Sequence, residues 1–326
     1  MYFPHSAYSY IRRFGDYPFW RITRFYHIMK KRNPLKICFI ILACIVLALS
    51  AFSGVKYFSG YESFYNVQYA NKPDNVMDIF IPSRAYTREN NGCVLFIHGG
   101  SWSGGDKQEE EARCRFLASH GYITATINYT LWSEETADTY HVFNVLNEID
   151  AALTTLREFA ASRSIRIDKA ATAGYSAGAH LAMLYAFSRS DISPLPIAFT
   201  ASMAGPADLS ANVWGAEMSQ RIIKRLTGED VDEQTLLSGG ADELIASLSP
   251  VSYICENSPP ALLMQGGKDT VVPPANAQAI ADKLTQCAIP HDYVYLKDSD
   301  HSLIQNPIQH LEYFKRLLNY CQTYFY

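Results

Sequence analysis

The sequence predicts an α/β protein, with a mostly parallel central sheet, helices on both faces and an N-terminal transmembrane helix. Three observations lead there. Short apolar runs alternate with helical-period stretches over about 265 residues from Tyr61 onward, as in parallel sheets buried on both sides. A single uncharged run, Ile37 to Val55, stands before them. Hydrophobic residues form 48% of the 326 residues and charged residues 18%, which supplies a large core and excludes a disordered chain.

Residues 1–36 hold eight basic side chains against one acid, Asp16, a net +7. The chain as a whole carries −4, so the remaining 290 residues carry −11. An acidic body excludes nucleic acid as the main ligand, because phosphate binding needs a basic face. The run 37–55 is 19 residues long and bracketed by Lys36 and Lys56. As a helix it spans about 28 Å, close to the hydrocarbon thickness of a bilayer. Positive charge piled before it keeps the N-terminus in the cytoplasm and exports the residues beyond it. The division predicted is therefore a basic segment (1–36), a transmembrane anchor or signal segment (37–55) and a catalytic domain (61–326), membrane-anchored on the extracytoplasmic side. The alternative is secretion after signal-peptide cleavage near the small residues Ala48, Ser50, Ala51 and Ser53. A start at Met29, with Lys30, Lys31 and Arg32 directly after it, would give an ordinary signal peptide.

Beyond the membrane segment the alternating run 75–81 and the apolar runs 93–97 and 122–127 read as strands. Val142, Val145, Leu146, Ile149, Leu153, Leu156 and Phe159 then keep a helical period. Residues 170–173 form a short small-residue strand that runs into Gly174, and 177–187 the helix after it. Further strands fit 198–203, 261–265 and 293–296, with helices near 275–284 and 308–318. The helical stretch 211–248, between two of these strands, is placed to cap a site. Seven cysteines are an odd count, with no CxxC and no metal-ligand cluster. Export would permit a disulfide, but spacing assigns no pair.

Gly174-Tyr175-Ser176-Ala177-Gly178 is a G-x-S-x-G element between a strand and a helix. That form places a serine on a sharp turn, with glycines that let neighbouring elements approach. His98-Gly99-Gly100-Ser101-Trp102 comes directly after the strand 93–97. Its Gly99 and Gly100 N–H groups, with that of Ala177, are placed to hold an oxyanion. A serine nucleophile needs a base, and the base an orienting carboxylate, in the chain order serine, acid, histidine. Asp269 comes after the strand 261–265, and His301 lies 32 residues later, after the strand 293–296. His291 precedes its strand and His310 sits inside a helix, so neither competes well. Asp298 and Asp300 are too near His301 in sequence to reach its ring easily. His180, four residues past Ser176 on the same helix, faces away from the turn and reads as structural. Trp102, Tyr129 and Tyr175 are candidate substrate-binding residues, with Trp132 and Trp214 nearby. No P-loop, G-x-G-x-x-G or ligand cluster asks for a cofactor or a metal.

From about Tyr69 to Tyr320 the chain resembles the α/β-hydrolases of the hormone-sensitive-lipase-like esterase group, above all its bacterial carboxylesterase and feruloyl-esterase-like branch. The resemblance rests on an ordered series: Met77-Asp78-Ile-Phe-Ile-Pro82, His98-Gly-Gly-Ser-Trp102 with Gly105-Asp106-Lys107, Asn128-Tyr129, and Gly174-Tyr-Ser-Ala-Gly178. It continues through Gly205-Pro-Ala-Asp-Leu209, Ser249-Pro250, Gly267-Lys-Asp-Thr-Val-Val-Pro273 and Asp300-His301. It implies an α/β-hydrolase fold, with Ser176 as nucleophile, Asp269 as acid and His301 as base of an acyl-transfer reaction. Gly99, Gly100 and Ala177 would form the oxyanion hole. The expected activity is hydrolysis of a small-molecule carboxylic ester. Ser101 stands where many members have a third glycine, and the His-Gly-Gly-x-Trp form is similar to that of arylformamidases. An amide or formamide hydrolase with the same triad is thus one alternative, and an inactive membrane-anchored binding module another. Gln265 stands where relatives often have histidine, a change expected to be harmless.

Overall fold

A computed structural model describes residues 60–326 of the chain. Within them eight strands form one sheet: β1 (Tyr61–Gln68), β2 (Val76–Pro82), β3 (Asn91–Ile97), β4 (Ile123–Ile127), β5 (Ile167–Tyr175), β6 (Ile197–Met203), β7 (Ala261–Gly266) and β8 (His291–Leu296). Their spatial order is β1-β2-β4-β3-β5-β6-β7-β8. β1 pairs antiparallel with β2, and β2 with β4; every other neighbour is parallel. The predicted α/β architecture is therefore observed, with two antiparallel strands at one edge.

Both faces of the sheet are buried, which is why its inner strands are continuous apolar runs rather than alternating ones. In β3, Cys93, Leu95 and Ile97 point into one core, while Val94 and Phe96 point into the other. The first core is closed by α2 (Val142–Ala161) and α3 (Ala177–Arg189), through residues such as Leu146, Ile149, Leu153, Leu181 and Leu184. The second is closed by α1 (Glu111–Ser119) and α9 (Pro307–Phe325), through Cys114, Leu117, Tyr313 and Leu317. A smaller cluster seats α8 (Ala275–Gln286) against Leu263 of β7 through Ile280 and Leu284.

Between β6 and β7 the chain makes the expected helical excursion. It comprises α4 (Ala211–Trp214), α5 (Ala216–Thr227), α6 (Glu233–Leu237) and α7 (Asp242–Leu248). The excursion has a tied neck. Leu209 N donates to Ser249 Oγ at 3.0 Å, and Val251 N donates to the Ala207 carbonyl at 3.2 Å. Asn276 Oδ1 accepts from the N–H groups of Ala207 and Asp208.

Neither β1 nor α1 is among the elements expected from sequence, and His291, expected before its strand, instead opens β8. No described helix is long and apolar enough to cross a membrane. The transmembrane segment expected at 37–55 lies outside the described residues, as do Met29 and the basic segment 1–36. Cys93, Cys114, Cys255, Cys287 and Cys321 are all free thiols, so no disulfide forms among the described residues.

Candidate active site

β5 ends at Tyr175 and α3 begins at Ala177, so Ser176 alone makes the turn. Its backbone sits at φ 54°, ψ −122°, a strained conformation for a residue with a Cβ. Close approach of the flanking elements enforces the turn. A Cβ on Gly178 would lie 2.0 Å from the Ile97 carbonyl oxygen, so α3 can cross the end of β3 only with glycine there.

Asp269 and His301 come from the neighbouring strand ends. Backbone bonds stitch their two turns together, from Gly267 N to the Leu296 carbonyl at 2.9 Å and from Lys268 N to the Ser299 carbonyl at 2.9 Å. His301 Nδ1 lies 2.8 Å from Asp269 Oδ2, and His301 Nε2 lies 3.0 Å from Ser176 Oγ. The three residues singled out from the sequence thus form one continuous hydrogen-bonded relay. The side chains of the competing acids are engaged elsewhere: Asp298 pairs with Lys268, and Asp300 accepts from Ser302.

Asp269 is held more firmly than a turn aspartate requires. Its Oδ1 accepts from the N–H groups of Val271 and Val272 at 2.9 and 2.8 Å. Its Oδ2 accepts from Gln265 Nε2 at 2.9 Å as well as from His301. Gln265 is fully buried, and its Oε1 has no hydrogen-bond partner among the described residues. The Gln265 amide therefore belongs to the site, which its sequence context did not reveal.

The Gly99–Gly100 loop rests against the serine: a Cβ on Gly99 would lie 3.4 Å from Ser176 Cβ. Gly100, Ser101 and Trp102 all have positive φ, at 107°, 52° and 61°, which folds the loop tightly beside the site. A buried polar frame supports it from behind. Lys107 Nζ pairs with Asp78 Oδ2 at 2.8 Å, both side chains nearly inaccessible. Lys107 N donates to Asn128 Oδ1, and Asn128 Nδ2 to Asp106 Oδ2. The motif residues 78, 106, 107 and 128 are thus scaffolding for the glycine loop.

Of the three aromatic candidates, Trp102 alone borders the cavity in front of Ser176. Tyr129 is buried behind the loop, stacked on His98 at 4.4 Å, and its hydroxyl donates to the His98 carbonyl. Tyr175 donates through its hydroxyl to the His301 carbonyl at 2.8 Å, which fixes the histidine turn rather than lining the cavity. His180 is fully buried. Its Nδ1 accepts from Trp102 Nε1 at 3.2 Å, and its Nε2 donates to the Leu248 carbonyl at 2.9 Å, at the end of α7. Burial lowers its pKa to about 4.

The cavity holds about 310 Å³, the size of a small-ligand site. Trp102 and Pro206 wall one part of it, Trp214 and Ile222 from the excursion another, and Val271 and Val272 a third. Among the described residues no group of histidine, cysteine and carboxylate side chains is arranged to hold a metal ion.

Residues 77–284 match the sequence profile of BD-FAE. The chain belongs to the BD-FAE family. BD-FAE is an esterase family of the α/β-hydrolase type. The chain is similar to Esterase LipC of Mycobacterium tuberculosis, at 24% identity over 67% of this chain and 54% of the relative. It is similar also to an arylesterase of Saccharolobus solfataricus, at 36% identity over 32% of this chain and 34% of the relative. It spans about half the length of LipC. Among solved structures, a truncated carbohydrate esterase from gut microbiota superposes with a TM-score of 0.66 at 17% identity, over 81% of this chain and 96% of that one. Esterase B of Lactobacillus rhamnosis gives 0.61 at 19%, over 86% and 95%. Such identities show a shared fold, and the BD-FAE match spans β2 through α8, hence Ser176, Asp269 and the excursion between them.

Proposed function

We propose that this BD-FAE member is a serine carboxylesterase. The observation that carries the reading is the relay from Ser176 Oγ through the His301 ring to Asp269, at 3.0 and 2.8 Å. His301 Nε2 takes the Ser176 hydroxyl proton as Oγ attacks the ester carbonyl carbon. The carbonyl oxygen becomes an oxyanion facing the N–H groups of Gly99, Gly100 and Ala177. The Nε2 proton passes to the leaving alkoxide and the C–O bond breaks, leaving an acyl group on Ser176. Water, deprotonated by the same nitrogen, releases the acid in the reverse sequence. Asp269 holds the imidazole in the tautomer with its proton on Nδ1 and balances the charge that develops.

The test is hydrolysis of short-chain p-nitrophenyl esters by the full chain beside Ser176→Ala. Loss of at least about a thousandfold in kcat is expected for the variant; undiminished hydrolysis would sink the assignment. Matched relatives carry the names of esterases, which supports ester over formamide cleavage. The comparison of a phenyl ester with an N-formyl aryl amide measures that preference directly.

The same proposal places the catalytic domain, residues 61–326, outside the cytoplasm, delivered by residues 37–55. The sequence alone supports it, through the run of 19 uncharged residues preceded by a net +7. Alkaline phosphatase fused after Tyr326 should be active in cells; an inactive fusion would contradict export.

A further inference from the structure

One wall of the cavity is left unexplained by the relay. Met218, Ile222 and Arg225 stand at intervals of four and three along α5, so they share one face of that helix, and all three border the cavity. Met218 and Ile222 suit any apolar portion of an ester. Arg225 does not. It is the only charged side chain among the described residues that border the cavity. Its helix neighbours Arg221 and Lys224 are paired with Glu217 and Asp230, whereas the Arg225 guanidinium makes no ion pair and no hydrogen bond among the described residues. The chain has acids to spare, since the residues after 36 carry a net −11, yet none of the described ones meets this cation.

A guanidinium offers five N–H donors in a planar fork that matches a carboxylate, and it cannot shed its charge. Apolar walls lower the local dielectric, so an anion delivered there is held more strongly than at an open surface. Resting on the esterase reading above, we propose that Arg225 is an anion subsite. The substrate ester carries a carboxylate that pairs with Arg225 while its ester carbonyl lies against Ser176. The carboxylate belongs either to the acyl part or to the alcohol part, and the two are separable by experiment.

The measurement is kcat/KM of the full chain on two matched pairs: phenyl hydrogen adipate against phenyl hexanoate for the acyl side, and 4-acetoxybenzoate against 4-acetoxybenzamide for the alcohol side. Each pair gives an anionic-to-neutral ratio, and dividing the wild-type ratio by that of a variant cancels intrinsic reactivity. For Arg225→Gln the ratio of at least one pair should fall roughly ten- to a hundredfold, through KM. It should fall further in Arg225→Glu and recover in part in Arg225→Lys, and the pair that responds tells which side bears the carboxylate. Ratios for both pairs that are the same in wild type and Arg225→Gln, with ester hydrolysis present and dependent on Ser176, would overturn the subsite alone. Absence of any Ser176-dependent ester hydrolysis would overturn the esterase reading and this inference together.

Discussion

The Asp269 carboxylate receives four hydrogen bonds from four residues: two backbone amides, the His301 ring and the Gln265 amide. Gln265 shares an acceptor oxygen with His301, so it sets the direction in which that oxygen presents its remaining lone pair. Gln265→Leu should lower kcat about tenfold with little change in KM. Gln265→Glu should lower it further, because a second carboxylate beside Asp269 would force one of the two to keep its proton. Equal kcat in wild type and both variants, from steady-state kinetics, would leave Gln265 a packing residue only. Ser176, Asp269 and His301 are legible in the sequence because each occupies a strand end flanked by small or turn-forming residues. Gln265 reads there as a harmless change, because its role depends on the direction of a side chain folded back across a turn. Tyr129 and Tyr175 read as substrate-binding for the opposite reason. Nearness to a loop in sequence says nothing about which side of the loop a ring takes, and both rings brace the loops from behind.

His180 ties three elements together: α3, on which it sits, the glycine loop through Trp102, and the end of α7 through Leu248. Its ring stays neutral down to about pH 4 in the fold, whereas an unfolded histidine takes up its proton near about 6.5. Unfolding therefore binds a proton between those values. The stability from this site is complete above about pH 6.5 and drains away as the pH falls towards 4, by up to about 3 kcal/mol. Between about pH 7.5, above that window, and about pH 4.5, near its lower end, the urea midpoint should fall more in wild type than in His180→Gln; parallel falls would refute the tie. Lys107→Ala would strand the buried Asp78 carboxylate behind the glycine loop and should cost about 3–5 kcal/mol, read from the same denaturation curves. Elements with a fully buried face are legible in the sequence, since an apolar run or a helical stripe marks them. β1 is not, because it is a half-exposed edge strand broken by a register shift between Phe64 and Val67. Nor is α1, whose buried residues, Cys114, Leu117 and Ala118, are too few to write a period.

Across the whole molecule the thiols report on how the body opens. Burial pushes Cys93 up to about 12 and raises Cys114 and Cys321 as well, whereas Cys255 is exposed and Cys287 half-buried. Maleimide labelling mapped by mass spectrometry should mark Cys255 and Cys287 in the native protein, and Cys93, Cys114 and Cys321 only as it unfolds. Native labelling of Cys93 would mean that the sheet opens locally. The α/β class and the position of the helical excursion can be read from the alternation of runs, but how that excursion joins the body cannot. Its neck depends on a serine, an asparagine and one backbone bond that leave no periodic trace. The neck has a consequence of its own. Because the chain leaves and re-enters at touching points, the loop is already closed, and its length adds little entropy to the rest. Residues 211–248 therefore behave as a cassette. A shorter or longer insert could be spliced between the same two posts, with the Ser176–His301–Asp269 relay kept and a different pocket wall laid over it, so that selectivity would be free to diverge while the relay stays put.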